Sequence, residues 1–378
     1  MYVNSKRVLF VATVVKTHIM QFHVPYLKMF KEMGYETAVA ARNDYENPDD
    51  CRIPYCDHFF DIPFQREPFR RDNIQCYKKL KAIIDEGDFS IIHCHTPVGG
   101  VLGRLAARKA RDNGARIMYT AHGFHFYKGA PIKHWLLYYP IEKLCSRLTD
   151  VLITINKEDY ALAQRKMKAK CVKYVPGVGV DLKKFGQLTI DKAAKRKELG
   201  IREDSIILLS VGELIVRKNH ETIIQAITDM DAYYLIAGEG ELHQHLQSSI
   251  DRLESSGKIK LLGYRNDVAD LYNIADIFVF PSYQEGLPVA VMEAMASGLP
   301  CVASKIRGNI DLLDNAEGGF LCDPHDASDF AEKLNILASN TELREKMGRK
   351  NLTAIERFGI ETVLSEMRKI YDAEISDR

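Results

Sequence analysis

The sequence predicts an α/β protein built from two doubly wound parallel-sheet domains. Short runs of β-branched and apolar residues recur along all 378 residues, and each run is followed by a segment with helical periodicity. Hydrophobic residues make up 46% of the chain and charged residues 27%, a composition typical of globular proteins and not of disordered or fibrous ones. The length suits two domains of ordinary size.

Six strands and five helices are predicted in the first half. We place the strands at residues 7–14, 36–41, 90–94, 116–120, 150–155 and 172–175. We place the helices at residues 20–33, 72–86, 99–113, 133–147 and 157–167. The first apolar run lacks a small-residue cleavage pattern after it, so we interpret it as a strand and not as a leader. No segment approaches the roughly 18 uninterrupted apolar residues of a membrane-spanning helix.

The second half repeats this alternation and ends in two further helices. Its strands are placed at residues 205–211, 233–237, 259–262, 277–280, 300–303 and 319–321. Its helices are placed at residues 218–229, 240–255, 266–273, 288–297, 307–313, 326–339, 341–357 and 360–376.

Turn-forming residues separate the two halves. The stretch from Pro176 to about Gly200 opens with Pro-Gly-Val-Gly, so we interpret it as a linker. We predict an N-terminal Rossmann-like domain at residues 1–185, joined by the C-terminal helix 360–378, and a C-terminal one at 186–359. Open parallel sheets bind ligands beyond the carboxyl ends of their strands, so we expect both sheets to face a central cleft.

The net charge of +1 conceals an asymmetry between the halves. Residues 1–185 carry 30 Lys and Arg against 19 Asp and Glu, whereas residues 186–378 carry 22 against 32. A basic half can bind nucleic acid, an anionic lipid surface or a phosphorylated substrate, or it can simply be solvated. The eight cysteines are scattered without a C-x-x-C pair, which is typical of reduced thiols in a cytoplasm.

Residues 285–300 form the most informative segment. It follows a predicted strand and contains a helix that begins near Pro288 and ends at Gly298. Glu285 lies before the first turn, where the positive end of a helix also favours phosphate, and Glu293 lies inside the helix. The two carboxylates could therefore contact the sugar and ribose hydroxyls of one ligand. The alternative is a capping glutamate and an ordinary helical one.

The E-x7-E arrangement in EGLPVAVMEAMASGLP resembles the C-terminal signature of the retaining glycosyltransferases of family 4, which have the GT-B fold. HCHTPVGG at residues 93–100 and TAHGFHFYKGAP at residues 120–131 resemble the exopolysaccharide and capsule branch of that family. The resemblance implies transfer of a sugar, with an N-acetylhexosamine favoured, from a UDP-sugar to a polyprenyl-diphosphate-linked saccharide. It implies retention of anomeric configuration, and no cofactor beyond the donor substrate.

The resemblance also assigns donor residues in the C-terminal domain. Arg217 and Lys218 would hold the diphosphate, because two cations near a helix end can stabilise a leaving phosphate without a metal ion. Glu293 would bind the ribose and Glu285 would lie near the donor sugar. The remaining implied contacts to the donor are Gly212, Gly263, Tyr264, Arg265, Gly286, Leu287 and Pro288.

In the N-terminal domain, His122 matches the family's active-site histidine, with a structural histidine as the alternative. His125 is assigned to the acceptor side or to a supporting role. His93, His95 and His122 suggest a metal site, but no carboxylate or cysteine completes the set, so none is predicted.

Two loops depart from the patterns that phosphate or metal sites show. Asp229-Met230-Asp231 has D-x-D spacing but falls between a helix and the next strand, so we interpret it as a surface turn. The loop at residues 13–18 lacks the glycines common in the family. We therefore predict a transferase that needs no metal ion.

Residues 130–140 contain the only Trp, two Tyr and a Lys near a helix start. Aromatic and basic residues together favour contact with an anionic membrane surface, and a buried aromatic core is the alternative. With the lipid-linked acceptor, this predicts a cytoplasmic protein peripheral to the inner face of the membrane, with no nucleic-acid partner.

Two other functions share this architecture. A UDP-sugar 2-epimerase would release nucleotide without an acceptor, and a scaffold would bind nucleotide without turnover. A dehydrogenase is disfavoured because Gly238-Glu239-Gly240 lacks the third glycine of G-x-G-x-x-G.

Overall fold

The computed structural model of the chain describes residues 5–186, 190–253 and 256–376, so part of the predicted linker and the end of the predicted helix 240–255 lie outside it. It divides into two compact units: residues up to Val178 together with those from Leu364 onward, and Gly179–Val363. This division precedes the predicted boundary at residue 185. The Val180 backbone N–H donates to Phe358 and its carbonyl accepts from Ile360, which holds residues after 179 in the second unit.

Seven parallel strands form the sheet of the first unit. They are β1 (Arg7–Val14), β2 (Glu36–Arg42), β3 (His58–Asp61), β4 (Ile91–His95), β5 (Arg116–Ala121), β6 (Val151–Thr154) and β7 (Cys171–Tyr174). Their order across the sheet is β3-β2-β1-β4-β5-β6-β7. Successive strands are added toward one side of β1 up to β3 and toward its other side from β4 onward. The carboxyl ends of β1, β4 and β5 therefore lie side by side at the reversal point, where such sheets bind ligands.

The helices of the first unit alternate with these strands along the chain. They are α1 (Met20–Phe22), α2 (Val24–Glu32), α3 (Asp72–Gly87), α4 (Pro97–Ala106), α5 (Arg108–Asp112), α6 (Ile132–Ser146) and α7 (Lys157–Lys166), with a π-helical turn at Val15–Ile19 and a 3-10 turn at Pro48–Asp50.

The sequence analysis was wrong about three parts of this unit. It missed β3, which has only two apolar residues between His58 and Asp61. It placed one helix over residues 99–113, whereas α4 and α5 are separated at Ala107. It also placed one helix over residues 20–33, whereas α1 and α2 meet at His23. Pro25, which lacks a backbone N–H, is tolerated because it lies in the first turn of α2.

Six parallel strands form the sheet of the second unit, in the order β10-β9-β8-β11-β12-β13. They are β8 (Ile206–Val211), β9 (Ala232–Ala237), β10 (Ile259–Leu261), β11 (Ile277–Phe280), β12 (Cys301–Ser304) and β13 (Gly319–Cys322). The helices are α8 (Leu182–Phe185), α9 (Lys192–Glu198), α10 (His220–Ala226), α11 (His243–Ile250), α12 (Val268–Ile274), α13 (Val289–Ala296), α14 (Asn309–Leu312), α15 (Ala327–Ala338), α16 (Thr341–Ala354) and α17 (Ile360–Ser376), and α17 continues into the first unit. The 3-10 turns are Val216–Lys218, Ser256–Lys258 and Ile355–Phe358.

Each unit has its own apolar core. Both faces of each parallel sheet are covered, so consecutive side chains along a strand are buried. In the first unit, Leu9 and Ile92 share a buried cluster with Leu80 of α3. In the second, Leu208 shares one with Phe330 of α15.

A buried ion pair joins two helices of the first unit. Arg104 of α4 is fully buried and its Nη2 donates to Glu142 Oε2 of α6 at 3.0 Å. Its guanidinium also lies 3.9 Å from the ring centre of Tyr119 in β5. A buried charge is strongly unfavourable without a partner. Glu142 must therefore lie beside Arg104, and this requirement sets the position of α6 against α4.

Candidate functional sites

The loop after β8 presents two cations at the carboxyl end of the sheet of the second unit. The 3-10 turn Val216–Lys218 ends at Asn219, whose left-handed backbone (φ 57°) leads into α10. The Asn219 amide donates to the carbonyls of Pro281 and Pro324 at 3.0 and 2.9 Å. These bonds fix the turn, and with it Arg217 and Lys218.

Both cations converge on one carboxylate oxygen. Arg217 Nη1 and Lys218 Nζ lie 2.6 and 2.9 Å from Glu285 Oε1. Lys218 Nζ also lies 4.7 Å from the ring centre of Phe280, at the end of β11. Arg217 Nη2 also lies 3.9 Å from Oε2 of the exposed Glu213, so the two cations face one partly buried and one exposed carboxylate. The structure thus brings together three of the residues assigned to the donor from the sequence.

The segment from Glu285 to Pro288 is held by close backbone packing. Arg307 Nε donates to the Glu285 carbonyl at 3.1 Å. Gly308 has φ 84°, and a Cβ there would lie 2.5 Å from the Gly286 carbonyl oxygen, so this position requires glycine. Leu287 is buried, and Pro288 immediately precedes α13. The segment predicted from the sequence therefore forms a rigid loop at a helix start.

Glu293 lies on α13 and its carboxylate is partly buried. Tyr272 donates its hydroxyl hydrogen to Glu293 Oε2 at 3.0 Å. Burial raises the pKa of Glu293 to about 7, although the bond from Tyr272 and the charge of Lys184 act in the opposite direction. A carboxylate with one oxygen occupied by a donor can accept further hydroxyls at the other.

The raised pKa of Glu293 predicts a pH dependence of stability. The folded protein binds a proton at Glu293 up to a pH of about 7, whereas the unfolded chain releases it near the ordinary glutamate pKa of 4.5. Glu293 therefore contributes less to the free energy of unfolding as the pH rises from about 5 to 7. Buried His220 of the same unit acts in the opposite direction, because its pKa is lowered to about 4. We therefore expect the urea midpoint of Glu293→Gln to rise relative to that of the wild type between pH 5 and pH 7. A constant difference between the two proteins would contradict the assignment.

Three backbone segments meet beside the loop after β8. Gly238 N–H donates to the Gly263 carbonyl at 2.9 Å, and a Cβ on Gly238 would lie 1.9 Å from the Gly212 carbonyl oxygen. Glycine is therefore required at position 238 for the close approach of these backbone segments. Tyr264 is highly exposed, and Arg265 pairs with Asp267 through Nε and Oδ1 at 2.7 Å. Gly263 thus lies just after the carboxyl end of β10, and the charge of Arg265 is paired with that of Asp267.

His122 follows β5 directly and lies within a group of histidines. Its Nε2 is 3.5 Å from His95 Nδ1, and its ring centre is 4.9 Å from that of His18. Burial lowers its pKa to about 4, so the ring is neutral. His18 and His23 complete the group, and the sequence analysis missed both. They lie in and beside the π-helical turn, so only the strand order reveals their proximity.

The histidines considered for a metal ion in the sequence analysis are not the set that the structure brings together. His93 bonds to Tyr371 and Thr120 at 2.6 and 2.8 Å, which occupies both of its ring nitrogens. His95 and His122 instead join His18 and His23, with one potential ligand atom from each within 4.8 Å of all the others. His125 lies apart from them and contacts the Tyr138 ring, with centres 4.7 Å apart.

The Asp229–Asp231 segment lies in a surface turn. Asp231 accepts from Arg202 Nη2 at 2.9 Å and from Lys258 Nζ at 2.7 Å. Both contacts are exposed, in agreement with the interpretation as a turn.

The aromatic segment at residues 130–140 divides between core and surface. Trp135 is partly buried, packs 5.6 Å from the Phe126 ring centre, and donates from Nε1 to the Tyr127 carbonyl at 3.2 Å. Ile132 and Leu136 on the same helix are 75% and 74% exposed. The aromatic residues therefore belong partly to the core, and the exposed surface is aliphatic.

Comparison with known families defines the class of the protein. The family described as Glycosyl transferase 4-like matches residues 7–156, and that described as Glycosyl transferases group 1 matches residues 191–353. With the two parallel-sheet units, these matches show that the chain belongs to the family 4 glycosyltransferases and has the GT-B fold.

Individual relatives agree with this class. EpsD of Bacillus subtilis strain 168, named as a glycosyltransferase, is 40% identical over 376 residues, covering 98% of this chain and 97% of EpsD. The UDP-Gal:alpha-D-GlcNAc-diphosphoundecaprenol alpha-1,3-galactosyltransferase of Escherichia coli is 32% identical over 278 residues, 69% of this chain and 71% of that enzyme. The structure of Anabaena Alr3699/HepE in complex with UDP and glucose is 19% identical, covers 97% of this chain and 100% of its own, and superimposes with a TM-score of 0.79.

Proposed function

We propose that this protein transfers a sugar from a UDP-sugar to a saccharide carried on a polyprenyl diphosphate, with retention of configuration and without a metal ion at the donor diphosphate. The observation that carries the proposal is the convergence of Arg217 and Lys218 on Glu285 beside the start of α13. A UDP donor and a diphosphoundecaprenol acceptor are named for the relative from Escherichia coli. The exopolysaccharide or capsule setting and the N-acetylhexosamine follow from the motif resemblance.

The two cations have the chemistry that a leaving UDP requires. Breaking the bond between the anomeric carbon and the phosphate oxygen develops negative charge on the diphosphate. Arg217 can donate two parallel hydrogen bonds to phosphate oxygens, and Lys218 adds a compact positive charge. Glu285 holds both side chains in position before the donor arrives. Once the donor is bound, Glu285 would share Arg217 and Lys218 with the phosphate, and it would also contact the sugar.

The proposed mechanism keeps departure and attack on one face of the sugar. The bond to the diphosphate breaks, the bond to the acceptor oxygen forms, and the acceptor hydroxyl proton passes to the released diphosphate. This route asks the protein to orient both substrates and to stabilise charge. Glu293 would accept hydrogen bonds from the ribose, and His122 would lie beside the donor sugar as the resemblance implies.

Helix α6 supplies a surface suited to peripheral contact with the inner face of a membrane. Ile132, Leu136 and Leu144 are exposed at intervals of four or eight residues, which places them on one helical face. Lys133 and Lys143 lie on the same helix, where they would favour anionic lipid. Among the described residues, no helix has both the length and the apolar character needed to span a bilayer.

The membrane contact predicts the behaviour of a surface variant. Leu136→Glu should lower binding to vesicles of phosphatidylcholine and phosphatidylglycerol about tenfold. The substitution puts a charge in place of apolar area that the membrane would bury. Flotation with the vesicles measures this. Ile336→Glu removes an exposed apolar residue of the second unit and is the matched control. Equal flotation of both variants would argue against α6 as the contact.

The function itself is tested by UDP release from a panel of UDP-sugars. Transfer requires release that depends on a polyprenyl-diphosphate saccharide and yields an elongated lipid product whose linkage is read by NMR. Release without an acceptor, together with an altered sugar, would identify the epimerase. UDP binding without release from any donor would identify the scaffold.

A further inference from the structure

Four histidines from separate segments converge at the carboxyl edge of the sheet of the first unit. His18 lies in the π-helical turn after β1, His23 at the junction of α1 and α2, His95 at the end of β4, and His122 after β5. One potential ligand atom from each lies within 4.8 Å of all the others. The adjacency of β1, β4 and β5 creates this convergence.

Four of the eight ring nitrogens in this cluster are buried and have no hydrogen-bond partner among the described residues. These nitrogens are both of His23, Nε2 of His18 and Nε2 of His95. Each of the three residues is less than a tenth exposed. A buried polar atom without a partner is unfavourable, so such nitrogens indicate a ligand.

The neighbouring His93 shows how a structural histidine is satisfied in the same surroundings. Its two ring nitrogens bond to Tyr371 and Thr120, and its ring centre lies 4.1 Å from that of His95. Burial therefore does not by itself leave histidine nitrogens unpaired in this part of the protein. The four clustered histidines differ from His93 in facing one another.

Ordinary solvent has little room to satisfy these nitrogens. His23, His95 and His122 line a cavity of about 10 Å³, and Ile153 and Val178 contribute to its apolar wall. A cavity of that size holds about one water molecule. Burial and the neighbouring rings lower the pKa of His23 and His95, so both are neutral, which is the form that ligates metals.

We propose that His18, His23, His95 and His122 bind one divalent first-row transition-metal ion, with Zn²⁺ as the ion best matched to four imidazoles. The ligand set contains nitrogen only, which suits zinc, copper or nickel and disfavours Mg²⁺ and Ca²⁺, both of which prefer oxygen. Ring centres in the cluster lie 3.9 to 6.1 Å apart, and binding would require the side chains to rotate so that one nitrogen of each lies about 2.0–2.1 Å from a central ion.

The bound ion would clamp four segments of the first unit. It would join the turn after β1, the junction of α1 and α2, the end of β4 and the loop after β5. Two of these segments already have unusual backbones: Val15–Ile19 is a π-helical turn, and Thr96 has φ 62°. His122 would take part in both sites: one ring nitrogen would bind the ion, and its other ring nitrogen and its backbone would remain for the donor sugar of the proposed function. The inference is carried by the histidine geometry alone, so it does not rest on the proposed function.

The test uses the full-length, tag-free protein after removal of metals with a chelator. Titration with Zn²⁺ in a calorimeter should give one ion per chain, and Co²⁺ should give the strong visible absorption of four-coordinate nitrogen ligation. His23→Gln and His18→Gln should each weaken Zn²⁺ binding at least about tenfold, because each removes a ligand. His220→Gln is the matched control, since His220 is a buried histidine of the second unit.

The outcomes separate the proposal from its alternatives. Stoichiometric Zn²⁺ binding that is lost in the cluster variants and kept in His220→Gln supports the site. Unchanged affinity in both cluster variants, or a Co²⁺ spectrum identical to that of the aqueous ion, overturns it and leaves a histidine pocket holding one water molecule. Should His23→Gln fail to fold by circular dichroism, His18→Gln and the wild-type Co²⁺ spectrum decide. No donor or acceptor is present, so the result is independent of sugar transfer.

Discussion

Lys218→Ala is expected to lower kcat for sugar transfer about a hundredfold or more while leaving the protein folded. Removing a preorganised group that stabilises developing charge commonly has an effect of this size. Lys218 contacts Glu285 and the face of Phe280 and is not part of the apolar core. Acceptor-dependent UDP release under saturating donor measures the change. Arg217→Ala should act in the same direction, since Arg217 contacts the same carboxylate oxygen.

A matched lysine variant distinguishes charge stabilisation from a general effect. Lys350 lies on the surface of the second unit and pairs with Glu317 at 3.4 Å. Lys350→Ala should leave kcat within about twofold of the wild type, because exposed ion pairs contribute little. The diphosphate assignment is wrong if Lys218→Ala retains full kcat, or if its activity falls only because its urea midpoint has collapsed.

Glu142→Gln is expected to destabilise the first unit by about 3–5 kcal/mol, because it leaves the Arg104 charge buried without its partner. The substitution preserves the size of the side chain, so lost packing adds little. Trp135 is the only Trp of the chain and lies on the same helix as Glu142. Its fluorescence during urea unfolding therefore reports this unit directly.

A partly exposed ion pair provides the comparison. Lys81 and Asp85 form an ion pair one helical turn apart on α3 of the same unit. Asp85→Asn should cost under about 1 kcal/mol. Similar losses in Glu142→Gln and Asp85→Asn would show that the buried pair does not set the position of α6.

The sequence predicted the fold, and it predicted the positions of the loops that we assign to the donor, because both are encoded locally. Buried parallel strands appear as apolar runs, and the Glu285 loop has glycine and proline at positions that the backbone requires. Strand β3 escaped detection because its apolar run is too short. The histidine cluster escaped because no spacing along the chain marks it: His18 and His122 are brought together only by the order of the strands. Likewise, nothing local showed that His93 would be satisfied by Tyr371, near the far end of the chain.

That contact has a practical consequence for dissecting the protein. Tyr371 is fully buried in the first unit although it lies beyond the whole of the second unit in the chain. A fragment ending at Val178 would lose it, exposing Phe30 and His93, the rings that it covers. A recombinant version of the first unit alone would need residues 364–376 fused after Val178 by a short artificial linker.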